Sequence, residues 1–468
     1  MSEISSASFQ LKFYSTAAPL QALLADLPIV SVPASLSRHG LTDVLAHLTS
    51  EARATSGASL PSLHFFIGQR LLRSTLAAAA QAVGALAEHD LPVQVEIAPN
   101  SPSLGENYSV ADRLSAVTVD ASSGDLIVGD YKGFVRRMGL DGVVRHTDAT
   151  GNRQVSHIVA TATFSLATTY SGTLVQLGVT QRGKGSSSAA SSAPVVATFD
   201  NAAMAVAAGP DSVSAVGTSR GIVHFVSLRE DETKGGAKRK RQVAEAPLLV
   251  GEETGTFRGH VGAPVGGIVW PVRDRLYTVG HDCTVRSLDP ATLGQVSALT
   301  GHAPLGGLSY SLPAGLLYAG GPQRRVRSFD PRSGGRTAAV YTSHLDSVTS
   351  TATHPTSSTH FASASLDGTV KIWDARATVP LYTLRAHGGE AVTAIAWAGE
   401  ASDALVSVGA DGRVQVTRYA LEAGATGGRR SAGGEGGEGG DDDDESASSA
   451  STTGSDDDDS DDDMSESE

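Results

Sequence analysis

Three sets of residues pair a histidine with a hydroxyl and a carboxylate: His260 with Thr278 and Asp282, His344 with Ser363 and Asp367, and His387 with Ser407 and Asp411. A hydroxyl, an imidazole and a carboxylate in hydrogen-bonded series are the parts of a nucleophilic hydrolase. One active site needs one set. Here the set recurs at the period of an internal repeat, with His302 in the same series. Recurrence points to a structural hydrogen-bond network without a nucleophile. The 14 histidines do not cluster with acids, or with the single cysteine Cys283, at metal-ligand spacing. Arg182-Gly-Lys-Gly-Ser186 lacks the spacing and the strand-to-helix context of a phosphate-binding loop. The expectation is a protein that is not an enzyme and takes no cofactor.

These residues must be positioned by hairpins. The best copy of the repeat is Phe361-Ala-Ser-Ala-Ser-Leu-Asp-Gly-Thr-Val-Lys-Ile-Trp-Asp374. Small and apolar residues alternate into Asp367-Gly368 and out again through Val370, Ile372 and Trp373, as in a β-hairpin whose second turn residue takes positive φ. Comparable turn pairs are Lys132-Gly133, Ser171-Gly172, Arg220-Gly221, Asp282-Cys283, Gln323-Arg324 and Asp411-Gly412. In chain order the second residues of the seven pairs are 39, 49, 62, 41, 44 and 44 apart. Such spacing predicts seven four-stranded blades. The two long gaps hold polar inserts, Arg182 to Ser192 and Arg229 to Glu253, expected to loop off the rim.

The set His344, Ser363, Asp367 and Trp373 resembles the hydrogen-bonded tetrad of WD-repeat propellers. In that tetrad the acid accepts from histidine while serine and tryptophan extend the network, each bond contributing on the order of 1–3 kcal/mol. Elsewhere the repeat is worn. Leu288 and Thr417 stand where tryptophan belongs, the fifth blade keeps only His302, and blades one to three lack the turn acid. Apolar packing is expected to hold that first half together. The last blade lacks a fourth strand, which residues 103 to 112 could supply so that no long sheet edge is left open.

At 468 residues the chain is long enough for two or more domains. One cysteine excludes an intramolecular disulfide framework, and neither a signal sequence nor a run of 18 apolar residues is present. A soluble intracellular protein without a membrane partner is expected. After Arg430 the chain has no Lys or Arg and carries 16 acids; removing them from the net charge of −14 leaves +2, so the body is near neutral. Residues 425–468, rich in Gly, Ser and acids, are expected to be a disordered, solubilising tail, in which Thr453, Ser455 and Ser460 resemble acidophilic kinase sites. Lys238, Arg239, Lys240 and Arg241 form a short basic run, a nuclear-import candidate set against a solvated loop or an RNA contact.

Residues 8–98 read as a small α/β unit: strands at Gln10 to Thr16 and Ile29 to Leu36, a helix with Leu41, Val44, Leu45 and Leu48 on one face, a strand-turn-strand at Phe65 to Leu72, and a last strand at Val93 to Ile97. That order is the order of a ubiquitin-like fold. Val32-Pro-Ala-Ser-Leu-Ser-Arg-His-Gly-Leu-Thr-Asp-Val-Leu-Ala-His-Leu48 and Leu71-Leu-Arg-Ser-Thr-Leu76 resemble the N-terminal domain of the WD-repeat subunits of the PeBoW ribosome-assembly complex, with the notchless proteins as near relatives. The resemblance covers about residues 8–424. It implies an all-β seven-bladed WD-repeat propeller (residues 113–424) preceded by a small α/β ubiquitin-like domain (8–98), with a linker (99–112) between them.

What the resemblance implies about function is a scaffold in large (60S) ribosomal subunit maturation, working in the nucleolus and nucleoplasm. Its partners would be a Bop-type WD-repeat protein, pescadillo, the 60S pre-ribosomal particle and the ATPase midasin. Glu88, in Ala87-Glu-His-Asp-Leu91, falls where the family places the glutamate that completes a metal site on midasin, so it would ligate a Mg²⁺ ion held by that partner; Asp90 is its neighbouring substitute. The alternatives are a notchless-type factor, whose family resembles an eight-bladed ring, and a ubiquitin-ligase substrate adaptor.

Overall fold

The N-terminal strand β1 (Ser8–Tyr14) alternates, burying Phe9, Leu11 and Phe13 while Gln10 and Lys12 face solvent. This period of two is what a sheet with one covered face requires. The computed structural model describes residues 8–15, 18–25, 27–50, 62–68, 70–84, 90–98, 101–110, 112–151, 153–178, 191–230, 248–301, 303–333, 337–399 and 403–421. After β1 come α1 (Ala18–Leu24), β2 (Val30–Pro33), α2 (Arg38–Leu48), β3 (Leu63–Ile67), β4 (Arg70–Leu71), α3 (Leu76–Val83) and β5 (Asp90–Ile97). The sheet runs β2-β1-β5-β3-β4, with β1 and β5 parallel and the other neighbours antiparallel. Leu41 and Leu45 of α2 are fully buried against this sheet in one core with Phe65, Leu72, Val93 and Val95.

Two helices were not read in the sequence. The first, α1, lies in the connection between β1 and β2, the two strands expected at Gln10 to Thr16 and Ile29 to Leu36. The second, α3, starts at Thr75, whose side chain accepts from the Ala78 amide, and stops at Gly84 with φ of 73°. Thr at the cap, an alanine-rich body and glycine just past the end are sufficient signals for it.

The rest of the described chain forms seven antiparallel sheets: 114–149, 155–198, 203–258, 265–300, 306–342, 348–384 and 392–418. Six are complete within their own span. The seventh takes its fourth strand from β6 (Ser103–Ser109), which pairs antiparallel with Arg413–Arg418. The first gains a two-residue parallel strand, Ser191–Ser192, on Asp148 and Ala149, so the end of the first polar insert returns to the ring. Both ends of the second insert lie in strands. Ile222–Glu230 and Leu249–Arg258 pair as one long ribbon, because Leu249 is buried and its amide donates to Gln176 Oε1 at 2.8 Å.

Each sheet packs on the next through its own apolar cluster, such as Ala116, Ile127 and Val135 on Val155, Ala167 and Val175, or Tyr318 and Tyr341 on Phe361 and Trp373. A further cluster joins Leu126, Val128 and Met138 of the first sheet to Val406, Val414 and Val416 of the seventh, which closes the ring. All seven turn pairs carry positive φ at their second residue: Gly133, Gly172, Gly221, Cys283, Arg324, Gly368 and Gly412. This is the architecture of a WD propeller.

A second repeat was invisible in the sequence. In every sheet the pairing of first and second strands shifts register just after the first strand's opening residue. Such bulges re-aim a side chain. The re-aimed hydroxyls stitch neighbouring sheets together: Ser156 donates to Ala203 O, Thr349 to Val392 O and Thr393 to Leu114 O, at 2.6–2.9 Å. At the same position in the fifth sheet Gly307 leaves no room for a side chain, since a Cβ there would lie 2.7 Å from Thr349 O.

Candidate functional site

The sixth sheet brings His344, Ser363, Asp367 and Trp373 together. His344 Nδ1 lies 3.0 Å from Asp367 Oδ2 and its Nε2 lies 2.7 Å from Ser363 Oγ, while Trp373 Nε1 donates to Ser363 Oγ at 2.8 Å. An ionised carboxylate only accepts and an indole only donates, so every proton is assigned. The imidazole is neutral and donates from Nδ1; the serine hydroxyl donates to Nε2 and accepts from the indole. Burial holds the His344 pKa below its ordinary value in spite of the carboxylate. Burial alone would raise the Asp367 carboxyl, but hydrogen bonds from Thr369, the Leu345 amide and His344 outweigh it and hold it at about 2.

Ser363 and Trp373 are fully buried, and the serine hydroxyl is already engaged by the imidazole and the indole. The network's work is mechanical: it binds the incoming loop, the second strand and the third strand of one sheet. The fourth sheet repeats it with His260, Thr278 and Asp282, at 2.8 Å for both bonds, and buries Leu288 where the indole would be. In the seventh sheet, His387, Ser407 and Asp411 do the same at 2.9–3.1 Å, and Thr417 replaces the indole. His302 lies outside the described residues.

The first sheet does have a buried turn acid, two residues earlier than the repeat pattern places it. Asp130, at the end of the second strand, accepts from the Lys132 and Phe134 amides at 2.9 and 2.8 Å and pairs with Arg136 at 2.8 Å. It is fully buried. The signal for it was the acid closing an apolar run, Leu126-Ile-Val-Gly-Asp130, immediately before the turn.

A second polar centre lies where the N-terminal domain meets the sixth sheet. Arg376 grips Glu96 with two parallel bonds, Nη1 to Oε1 at 2.9 Å and Nη2 to Oε2 at 3.0 Å. Its other face of donors meets Asp374 at 2.8 Å, and its guanidinium carbon sits 3.9 Å from the centroid of the Phe66 ring. Burial opposes the charge, but the bonds to Asp374 and Glu96 outweigh it and raise the Arg376 pKa. Beside it a cavity of about 350 Å³ is lined by His64, Glu96, Ser357, Thr359, His360 and Arg376, among others. Burial, helped by Arg73 and Arg38, pushes His64 down to about 4; burial also takes His360 to about 4. Sequence reasoning could not find this centre, because Glu96 and Arg376 stand 280 positions apart.

Glu88, Lys238, Arg239, Lys240, Arg241 and the acidic tail lie outside the described residues. Among the described residues no three His, Cys, Asp or Glu side chains are grouped to hold a metal ion, and no helix is long and apolar enough to cross a membrane.

Comparison with known proteins adds to this geometry. The family model described as "WD domain, G-beta repeat" matches residues 335–374, the span that contains the full tetrad. The chain is 28% identical to "Ribosome biogenesis protein YTM1" of Meyerozyma guilliermondii, over 84% of this chain and 92% of that protein. It is 28% identical to "Ribosome biogenesis protein WDR12 homolog" of Chlamydomonas reinhardtii, over 82% of this chain and 91% of that one. With the rice protein of the same name it shares 34% identity over 36% of this chain, spanning 39% of the relative. Repeat, ring and full-length similarity converge: the chain is a WD-repeat protein similar along most of its length to the ribosome biogenesis proteins YTM1 and WDR12 homolog.

Proposed function

We propose that this protein is a non-enzymatic scaffold in the biogenesis of the large (60S) ribosomal subunit, needed for processing pre-rRNA toward 5.8S and large-subunit RNA. The observation that carries this is similarity along nearly the whole length of relatives named for ribosome biogenesis. The arrangement fits the role. Every Ser/Thr-His-Asp set described is consumed in holding a sheet, which leaves a rigid ring whose surface can bind partners. Under this reading residues 113–424 are a seven-bladed propeller that binds a Bop-type WD-repeat protein and, through it, pescadillo. Residues 8–98 are a ubiquitin-like domain, 99–112 a linker that donates the closing strand, and 425–468 a solubilising tail. The protein works in the nucleolus and nucleoplasm, with Lys238 to Arg241 aiding import.

Release follows through the ubiquitin-like domain. Glu88 supplies a carboxylate oxygen to a Mg²⁺ ion held by midasin, whose ATP-driven motion removes the complex. Mg²⁺ takes carboxylate oxygens, so glutamine here would lose the charge and aspartate would fall one methylene short of the ion. Glu88→Gln and Glu88→Asp should therefore both impair midasin capture while leaving Bop-type binding intact.

Affinity purification of the tagged chain with mass spectrometry tests the role. Bop-type and pescadillo homologues in stoichiometric amounts are expected. Pre-ribosomal proteins without either would indicate a notchless-type factor, and cullin components a ubiquitin-ligase adaptor; both outcomes would overturn the proposal.

A further inference from the structure

The N-terminal domain is tied to the ring at two points that lie close together along the chain. One is the clamp at Glu96, the next-to-last residue of β5, on Arg376 just beyond the sixth sheet's third strand. Around it Phe66 and Leu71 pack on Ala377 and Leu381, and Arg73 Nη2 donates to Pro380 O at 3.3 Å. The other tie is β6, which closes the seventh sheet through the pairs Ser109–Arg413, Tyr108–Val414, Asn107–Gln415, Leu104–Thr417 and Ser103–Arg418. Between Ile97 and Ser103 only residues 98–102 intervene, a connection that spans at most about 20 Å when fully extended.

The closing strand is held differently from the fourth strands of the second to sixth sheets, and shares the lack of a buried apolar residue with that of the first sheet, which buries Asp148 instead. The fourth strands of the second, fourth, fifth and sixth sheets each bury an apolar anchor: Val196, Leu299, Tyr341 and Leu384. In β6 no residue is buried, and its one leucine, Leu104, is 55% exposed. Its hold is the backbone ladder, the half-buried Tyr108 ring against the closing apolar cluster with its hydroxyl donating to Leu140 O at 2.8 Å, and Gln415 Nε2 donating to Gly105 and Glu106 carbonyls. Strands with few apolar contacts open at low free energy. A strand without a buried residue thus closes the ring, and it continues directly from the clamped domain.

We propose that the Arg376–Glu96 clamp and β6 form one latch on the ring. With the clamp closed, Glu96 fixes the chain at the start of the short connection, and movement of the N-terminal domain cannot reach β6. With the clamp open, displacement of that domain is passed along residues 98–102 and peels β6 from Arg413–Arg418, parting the ring between its seventh and first sheets. The latch deepens the proposed release step, which would supply the pull, yet it is a property of the free chain.

Hydrogen exchange of the isolated full-length protein tests it without any partner. In Arg376→Ala, amides of residues 103–109 and 413–418 should exchange at least about fivefold faster than in wild type, while those of the second to fifth sheets stay within about twofold. Arg376→Lys keeps the charge but loses the paired bonds and the ring stacking, so it should fall between the two. Glu96→Gln, which leaves Arg376 its bond to Asp374, provides the same readout if Arg376→Ala does not fold. A disulfide between cysteines placed at Leu104 and Thr417, with Cys283→Ser, should abolish the acceleration. Unchanged exchange in 103–109, or acceleration spread over the whole ring, would overturn the latch. Either result would leave the partner purification, and with it the ribosomal reading, unaffected.

Discussion

The first three sheets of the ring and its fourth, sixth and seventh solve the same turn problem with different chemistry. The later sheets carry a histidine across to the turn acid, so that three chain segments are joined by bonds of 2.7–3.1 Å. The early sheets place the organising group inside the second strand itself. Asp130 gathers two amides and a guanidinium, Thr169 accepts from the Thr173 amide at 3.2 Å, and Thr218 donates to Ile222 O at 3.0 Å. What both halves share is the positive-φ turn and an apolar cluster between neighbours. The histidine network is therefore one way to satisfy buried turn amides, and the ring does not depend on it sheet by sheet.

The comparison breaks first at its two buried acids. Asp367→Ala removes the acceptor of His344, of two amides and of Thr369, and should cost on the order of 2–4 kcal/mol. Asp130→Ala should cost a similar amount, about 2–3 kcal/mol, because it strands a partly buried Arg136 and two amides. Urea unfolding of both variants decides the point. A large loss for Asp367→Ala beside a negligible one for Asp130→Ala would mean that the early sheets rest on packing alone.

Acid should separate the regions next. The Asp367 carboxyl sits at about 2, below its unfolded value near 4, so its contribution is complete above that value and is lost as pH falls through 2. His64 and His360 are pushed to about 4 from an unfolded value near 6.5, and below 6.5 the unfolded chain takes up protons that the folded one refuses. Stability should fall between pH 6.5 and 4 by about 1.4 kcal/mol per unit for each histidine, roughly 3 for the two together, before any tetrad acid titrates. Both line the junction cavity, whereas His157, which burial also takes to about 4, lies in the second sheet, so the junction, with two such histidines, should loosen first. A melting midpoint that stays flat from pH 7 to 4.5 would contradict this.

The smallest effect lies at the turns. Cys283 and Arg324 hold φ of 65° and 63° where five other turns have glycine. Replacing either by glycine relieves left-handed strain but frees the unfolded chain, for a net gain of up to about 1 kcal/mol. A loss of stability in both would show that the side chains themselves anchor the turns.

The same contrast explains what could be read from the sequence. Turn pairs are local, so their spacing marks the repeats even where the signature residues are gone. The tetrad of the sixth sheet is legible because its four residue types keep fixed offsets, and the family model matches only residues 335–374 around it. Asp130 escaped because it reaches the same amides from a different offset. The α3 helix was legible and overlooked, its Thr75 cap and Gly84 stop both being present in the chain. The bulged hydroxyls and the Arg376–Glu96 clamp were not legible, since each is defined by a neighbour remote in sequence.

The central claim is that this ring serves large-subunit assembly, and depletion of the protein tests it most directly. Sucrose-gradient profiles of depleted cells should show free 60S subunits falling and the precursor of 5.8S and large-subunit RNA accumulating, with recovery on re-expression of the full chain. A normal 60S peak and normal precursor levels after complete depletion would contradict the account.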